Sequence, residues 1–177
     1  LSVTGETLNE RLQSESAYVN REVVRSFDQP IQKMGGLVSL FGSLAPGGAI
    51  LKRSAADPTL FESEGKAVVF KSLEDLANRI DDPDLEVEAH DILVLQNAGP
   101  KSDAAMPEAG YLPIPKKLAQ SGVKDMIRIS DARMSGTAYG TIVLHVTPEA
   151  AVGGPLSLVK NGDKIKISVE NRSIDLL

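Results

Sequence analysis

With 177 residues, 42% of them apolar and 24% charged, the chain has the size and balance of one soluble folded domain with at most a short appendage. A net charge of −5, 4% aromatic residues and no tryptophan argue against nucleic acid, which needs an excess of clustered Lys and Arg and aromatic platforms for bases. No apolar run is long enough to span a bilayer, the N-terminus lacks a signal-peptide pattern, and without cysteine these residues form no disulfide or thiolate metal site, so no membrane partner is expected and the expected compartment is the cytoplasm.

In chain order, Thr7 followed three residues later by Glu10 is a capping-box pattern and predicts a short helix from residue 7. Leu1 stands where an initiator methionine would, so the chain is expected to begin inside a longer native protein. From Gly35 the text changes to short β-type runs separated by turns, and the domain boundary is placed near Met34: an arm over residues 1–34 and the main domain over 35–177. Strands are predicted at 37–41, 49–52, 67–70, 91–95, 126–129, 141–146, 164–169 and 173–176, the last two as a hairpin. Helices are predicted at 72–80, where Ser72 can cap and Leu73, Leu76, Ala77 and Ile80 share a face, and at 115–120, between an opening Pro115 and Gly122. Many short strands with few helices predict an α+β, mostly β fold with a mixed or mostly antiparallel barrel-like sheet.

Two polar loops follow buried-looking strands. The stretch 129–141 carries Ser135 and Thr137 two residues apart, flanked by Gly136 and Gly140, and small polar loops between buried strands are common places for chemistry. A serine before glycine is also an ordinary turn former; it becomes a competent base only if something such as a bound metal lowers its pKa. The loop 96–110 is long for a structureless connection, and Glu108, stiffened behind Pro107, is either a ligand for a hard cation such as Mg²⁺ or a solvated surface carboxylate. Asp131 and Arg133 are expected to form a local ion pair, and His145 to bond a neighbouring carbonyl within its strand. With His90 in a turn there is no histidine pair at metal spacing. Gly47-Gly48 and Gly153-Gly154 fit no phosphate loop or dinucleotide fingerprint.

Three segments, SLAPGGAILKRSAADPTLF (43–61), GPKSDAAMPEAG (99–110) and DARMSGTAYGTIVLHVTPEAAVGGPLSLVKNGDKIKI (131–167), resemble the C-terminal part of the dihydroxy-acid dehydratase and phosphogluconate dehydratase family. The RMSGTAYG form is most similar to its sugar-acid branch, of the L-arabinonate dehydratase kind. The resemblance implies a two-domain hydro-lyase that removes water from an aldonic or other 2,3-dihydroxy acid to give a 2-keto acid, with that small hydroxy acid as partner and a homo-oligomeric assembly. It implies a larger N-terminal domain, missing here, that holds an iron-sulfur cluster and most Mg²⁺ ligands; residues 1–34 would be an arm left from it. The main domain would be a swivelling β/β/α barrel of the type of the aconitase and isopropylmalate isomerase small domain. By position, Ser135 matches the family serine whose Mg²⁺-bound alkoxide takes the C2 proton, Glu108 the one Mg²⁺ ligand this domain contributes, and Thr137 a second active-site hydroxyl that contacts substrate or positions the serine. The isolated chain is then expected to be inactive. Where the family usually has arginine before the Glu108 loop this chain has Gln96, and Phe41-Gly42-Ser43 replaces Arg-Gly-Asn, both at loops expected to face substrate. The alternatives are a dihydroxy-acid dehydratase of branched-chain amino acid synthesis and a non-catalytic binding or oligomerisation module.

Overall fold

The computed structural model describes residues 1–15, 19–107 and 112–177. By its contacts the chain separates into two units, Leu1–Met34 and Gly35–Leu177. In the first, Thr7 caps α1 (Leu8–Ser14): its hydroxyl accepts from the Glu10 amide while the Glu10 carboxylate accepts from the Thr7 amide. None of the described residues of this unit is buried, including Leu8, Leu12, Val23, Val24, Phe27 and Ile31.

The second unit holds eight strands, β1 (Val38–Leu40), β2 (Gly48–Leu51), β3 (Glu62–Phe70), β4 (Ile92–Leu95), β5 (Arg128–Ser130), β6 (Ile142–Thr147), β7 (Lys164–Ser168) and β8 (Ser173–Leu176), with helices α2 (Leu73–Arg79) and α3 (Lys116–Gln120). They form one sheet in the order β1-β2-β6-β5-β4-β3-β7-β8. The central pairings β3·β4, β4·β5 and β5·β6 are parallel and the flanking ones antiparallel. The two edges meet where Phe41 bridges Ser173: the Phe41 amide donates to Arg172 O at 2.9 Å and the Ile174 amide to Phe41 O at 3.0 Å. The result is mostly β and nearly closed into a barrel, as the run of short strands predicts.

Period-two alternation sorts the side chains into two layers. Ala67 and Val69, Ile92 and Val94, Ile129 and Val143 point into the barrel and pack with Leu40, Leu51, Leu156, Ile165 and Ile174. Val68 and Phe70, Leu93 and Leu95, Ile142 and Leu144 point outward, against Leu76 and Ile80 at the α2 end and Leu118 of α3. Each fully buried Leu or Ile stabilises the fold by about 1.5–3 kcal/mol, so closing both faces is the main source of stability. Ser72 caps α2 by accepting from the Asp75 amide at 3.1 Å, and Arg79 lies over the Phe70 ring at 5.1 Å.

β3 is longer than the sequence pattern predicts. Its polar first half, Glu62 to Lys66, pairs with β7 and its apolar second half with β4. Gly65 marks the change of partner, since a Cβ there would overlap the carbonyl oxygen of His90. Polar residues and a glycine hide such a half-strand from periodicity. Among the described residues no helix is long and apolar enough to cross a membrane.

Candidate active site on the crossover between β5 and β6

The stretch 131–141 connects two parallel neighbours, β5 and β6, without a helix. It is fastened at its start, middle and end. At the start, Asp131 is 1% exposed, and its carboxylate accepts from the Ala98 amide and the Ala150 amide, both at 2.8 Å. One side chain therefore ties the roots of three loops. Burial pushes this carboxyl above its ordinary range, with the Glu149 charge adding to the shift and the two amide bonds opposing it. The expected ion pair with Arg133 does not form: Asp131 points inward to amides that would otherwise be buried unbonded, whereas Arg133 is exposed.

In the middle, β6 bulges. Ile50 pairs with Leu144 but Gly48 with Thr147, and His145 takes a left-handed backbone, φ 54°. A bulge re-aims a side chain; here His145 Nε2 accepts from the Met134 amide at 2.9 Å, while the His145 amide donates to Ala132 O at 3.0 Å. The ring thus bonds an amide, not the expected carbonyl, and needs an unprotonated Nε2. Burial, and next the Arg133 charge, hold its pKa below the ordinary value, consistent with a neutral acceptor.

At the end, Asp125 accepts from the Thr141 amide at 2.8 Å and its hydroxyl at 2.7 Å, and pairs with the Arg128 guanidinium at 2.8 Å. Arg128, also buried, donates to Tyr139 O at 3.3 Å and Leu112 O at 3.1 Å. Gly140, φ 96°, lies against it, and a Cβ there would overlap Arg128 Nη2.

Between these anchors lies the hydroxyl pair. Ser135 Oγ is 2.9 Å from Thr137 Oγ1 and accepts from the Thr137 amide at 3.1 Å, and the Ala138 amide donates to Ser135 O at 3.2 Å. The structure therefore brings together the two predicted hydroxyls in one half-exposed turn. Glu108 lies outside the described residues. Its neighbour Pro107 accepts from the Arg133 amide at 3.3 Å, which joins the two polar loops two residues before Ser135.

The substitutions expected to face substrate do other work. Gln96 is 5% exposed and its Nε2 donates to Leu156 O at 2.7 Å and Val159 O at 3.0 Å, so its amide is used on two carbonyls inside the fold. Phe41 sits at the seam between β1 and β8. Next to it, Ser43 Oγ donates to Leu176 O at 3.2 Å and accepts from the Leu176 amide at 2.9 Å. Four supporting residues carry little or no sequence signal as such: Lys52, Asp125, Arg128 and Glu149. Only Arg128 announces itself, as a charge interrupting an apolar strand run. Glu149 accepts from the Lys101 amide with both oxygens at 3.0 Å, and Lys52 reaches the Ser135 turn from the end of β2.

Among the described residues no three His, Cys, Asp or Glu side chains form a group that could hold a metal ion. What the turn offers a hard cation is hydroxyl oxygen, which Mg²⁺ accepts as part of a six-oxygen shell. The donors fit a Mg²⁺ site completed by ligands from elsewhere. They do not fit an iron-sulfur cluster, because the chain has no cysteine. A cleft of about 910 Å³ lies elsewhere, lined by Lys66, Arg79, Asp82, Glu86, Glu88 and Lys117 among others, and includes none of the site residues.

Residues 22–177 match the family model described as dihydroxy-acid/6-phosphogluconate dehydratase, C-terminal. The chain is 47% identical over 176 residues to an L-arabinonate dehydratase of Rhizobium leguminosarum, covering 99% of this chain and 30% of that protein. It is 48% identical over 176 residues to a 6-deoxy-6-sulfo-D-gluconate dehydratase of Pseudomonas putida, covering 98% and 30%. A dihydroxy-acid dehydratase of Carboxydothermus hydrogenoformans is 40% identical over 178 residues, covering 100% and 31%. The chain thus spans 28% to 31% of the length of the curated relatives it matches.

Proposed function

The chain belongs to the dihydroxy-acid/6-phosphogluconate dehydratase family, as its C-terminal domain, and from that premise we propose that it is the serine-bearing lobe of a longer hydro-lyase. The substrate class is an aldonic acid or a close relative with hydroxyls on C2 and C3. The observation that carries the reading is the Ser135 and Thr137 hydroxyl pair, 2.9 Å apart on a crossover fastened at both ends. Sugar-acid names among the relatives at 47% to 48% identity favour that class over a branched-chain dihydroxy acid.

In this reading Ser135 Oγ takes the proton from C2, the hydroxyl leaves C3, and the resulting enol tautomerises to the 2-keto acid. Thr137 holds the serine by its hydroxyl and amide and faces the substrate. The proton on C2, beside a carboxylate, is only weakly acidic, and a serine is a poor base by itself. Mg²⁺, when bound, lowers the pKa of a ligating hydroxyl and offsets charge developing on the carboxylate. Ser135 and Glu108 would hold it from this side. The remaining ligands, and the group that accepts the leaving hydroxyl, would come from the preceding domain, with this barrel as the swivelling lobe that closes over it. The test is 2-keto acid formation from L-arabinonate, 6-deoxy-6-sulfo-D-gluconate and a branched-chain dihydroxy acid. The full-length protein is expected to turn over a sugar acid fastest, and residues 1–177 alone none of them. A full-length protein preferring the branched-chain acid would overturn the substrate class, and turnover by the isolated chain would overturn the division of labour.

A further inference from the structure

The Ser135 turn is held from below by a residue that the hydroxyl-pair reading does not use. Lys52 follows directly on β2, and its Nζ donates to Gly136 O and, at 3.3 Å, to Ala138 O, the two carbonyls on either side of Thr137. Downstream, the same segment runs alongside the crossover: Ala55 O accepts from the Gly140 amide at 2.8 Å, and the Asp57 amide donates to Thr141 Oγ1 at 3.0 Å. Residues 52–57 thus form a rail under 136–141.

Three features separate Lys52 from a surface lysine that happens to lie near a loop. Its side chain is half-buried, so its four-carbon stem is ordered at an entropic cost that a solvated lysine avoids. Among the described residues it forms no ion pair, so its donors are directed to the two carbonyls and not to a carboxylate. Finally, His145 already fixes Met134, and Ala55, Asp57 and Asp125 already fix 140–141. Between those fixed points lies 135–138, which bears both hydroxyls, and Lys52 reaches it at Gly136 O and Ala138 O.

We propose that Lys52 is a positioning residue for dehydration: by holding Gly136 O and Ala138 O it turns the Ser135 and Thr137 hydroxyls to the same side at their 2.9 Å spacing. The proposal rests on the reading of Ser135 as the reacting hydroxyl. A small misplacement of a reacting group costs on the order of 100-fold in rate while leaving remote substrate contacts intact. Loss of the lysine is therefore seen in kcat more than in KM.

The test uses full-length protein carrying Lys52→Met, Lys52→Arg or Ser135→Ala, with steady-state kinetics on the best substrate and hydrogen exchange across residues 134–141. Lys52→Met is expected to lower kcat by about 10- to 100-fold with KM within about 3-fold, and to speed exchange of the 135–138 amides while the rest of the barrel keeps its protection. Lys52→Arg, which keeps donors at that place, is expected to restore most of kcat. Lys52→Met with kcat within about 2-fold of the parent, or a loss of kcat that Lys52→Arg does not restore, would overturn the assignment. Ser135→Ala separates the two claims: if it lowers turnover by at least about 1,000-fold while Lys52→Met leaves kcat within about 2-fold of the parent, the positioning role falls and the serine stands; if it retains turnover, the serine reading falls and takes the positioning role with it.

Discussion

The crossover 131–141 and the connection 81–91 resemble one another as text, since both are polar and both lead into a strand of the parallel part of the sheet. They are built differently. In 81–91, apart from Asp91 at the strand entry, whose buried carboxylate accepts from the nearby Glu88 amide, the charges are spent near the surface: Asp81 pairs with Lys116 at 2.7 Å, Glu88 with His90 at 3.4 Å, and Lys117 caps Pro83 O and Leu85 O. Around the crossover, apart from the exposed Arg133, the charged side chains of Asp131, Glu149, Asp125 and Arg128 are buried or nearly so, and each bonds the backbone of another segment. Surface pairs tolerate rearrangement because water substitutes for either partner. A buried carboxylate between two amides has no such substitute, so the backbone it holds keeps one geometry. A polar loop thus becomes a candidate site through what its flanking side chains bond, beyond its being polar.

Substitutions that break each kind of anchor should separate the two regions by size of effect. The largest loss is expected for Arg128→Ala, which leaves Asp125 buried without its cation and frees both Leu112 O and Tyr139 O. Chemical unfolding of the 35–177 domain should show about 3–5 kcal/mol. Asp131→Ala leaves the Ala98 and Ala150 amides unbonded, at about 1–3 kcal/mol each when buried, and should come close to Arg128→Ala. Gly140→Ala comes next, because the methyl must displace Arg128 Nη2 and the backbone there is left-handed; about 1–3 kcal/mol is expected. At the small end, Asp81→Ala or Lys116→Ala in the other connection should stay within about 1 kcal/mol. If Asp81→Ala matched Asp131→Ala, the contrast between the regions would be lost.

His145 sharpens the comparison by pH. Its folded pKa is depressed, so between that value and 6.5 the unfolded chain binds more protons than the folded one. The stability it contributes is complete above pH 6.5 and is lost as pH falls through the folded value, when a protonated ring can no longer accept from the Met134 amide. His145→Gln, which does not titrate, should flatten the fall in melting temperature between about pH 7 and pH 5. An equally steep fall in that variant would show that another group carries the pH response.

Much of the fold is legible in the sequence because alternating apolar residues report directly which face of a strand is buried. Val68, Val69 and Phe70 sort correctly, and Ser72 announces α2. The polar half of β3 is not legible, because Glu62 to Lys66 pair through backbone and leave their side chains largely outside. The candidate site is legible to a similar depth. Ser135 and Thr137 stand out as hydroxyls beside glycines, and a family motif surrounds them. Their anchors do not stand out, since Lys52 and Asp125 lie 83 and 10 residues before Ser135 and only the closed sheet brings them under it. Asp131 illustrates the same limit: two residues from Arg133 in sequence, it suggests an ion pair, yet burial turns it to the amides of Ala98 and Ala150.

The central claim is that the turn at 135–138 carries the reacting hydroxyl while everything around it holds that turn in place. The most direct measurement is kcat and melting temperature of full-length Ser135→Ala on the preferred sugar acid, made on the same preparation. Turnover should fall by at least about 1,000-fold with the melting temperature essentially unchanged, because among the described residues the Ser135 side chain bonds within its own turn. Turnover within about 10-fold of the parent, in a protein that melts where the parent does, would contradict the account.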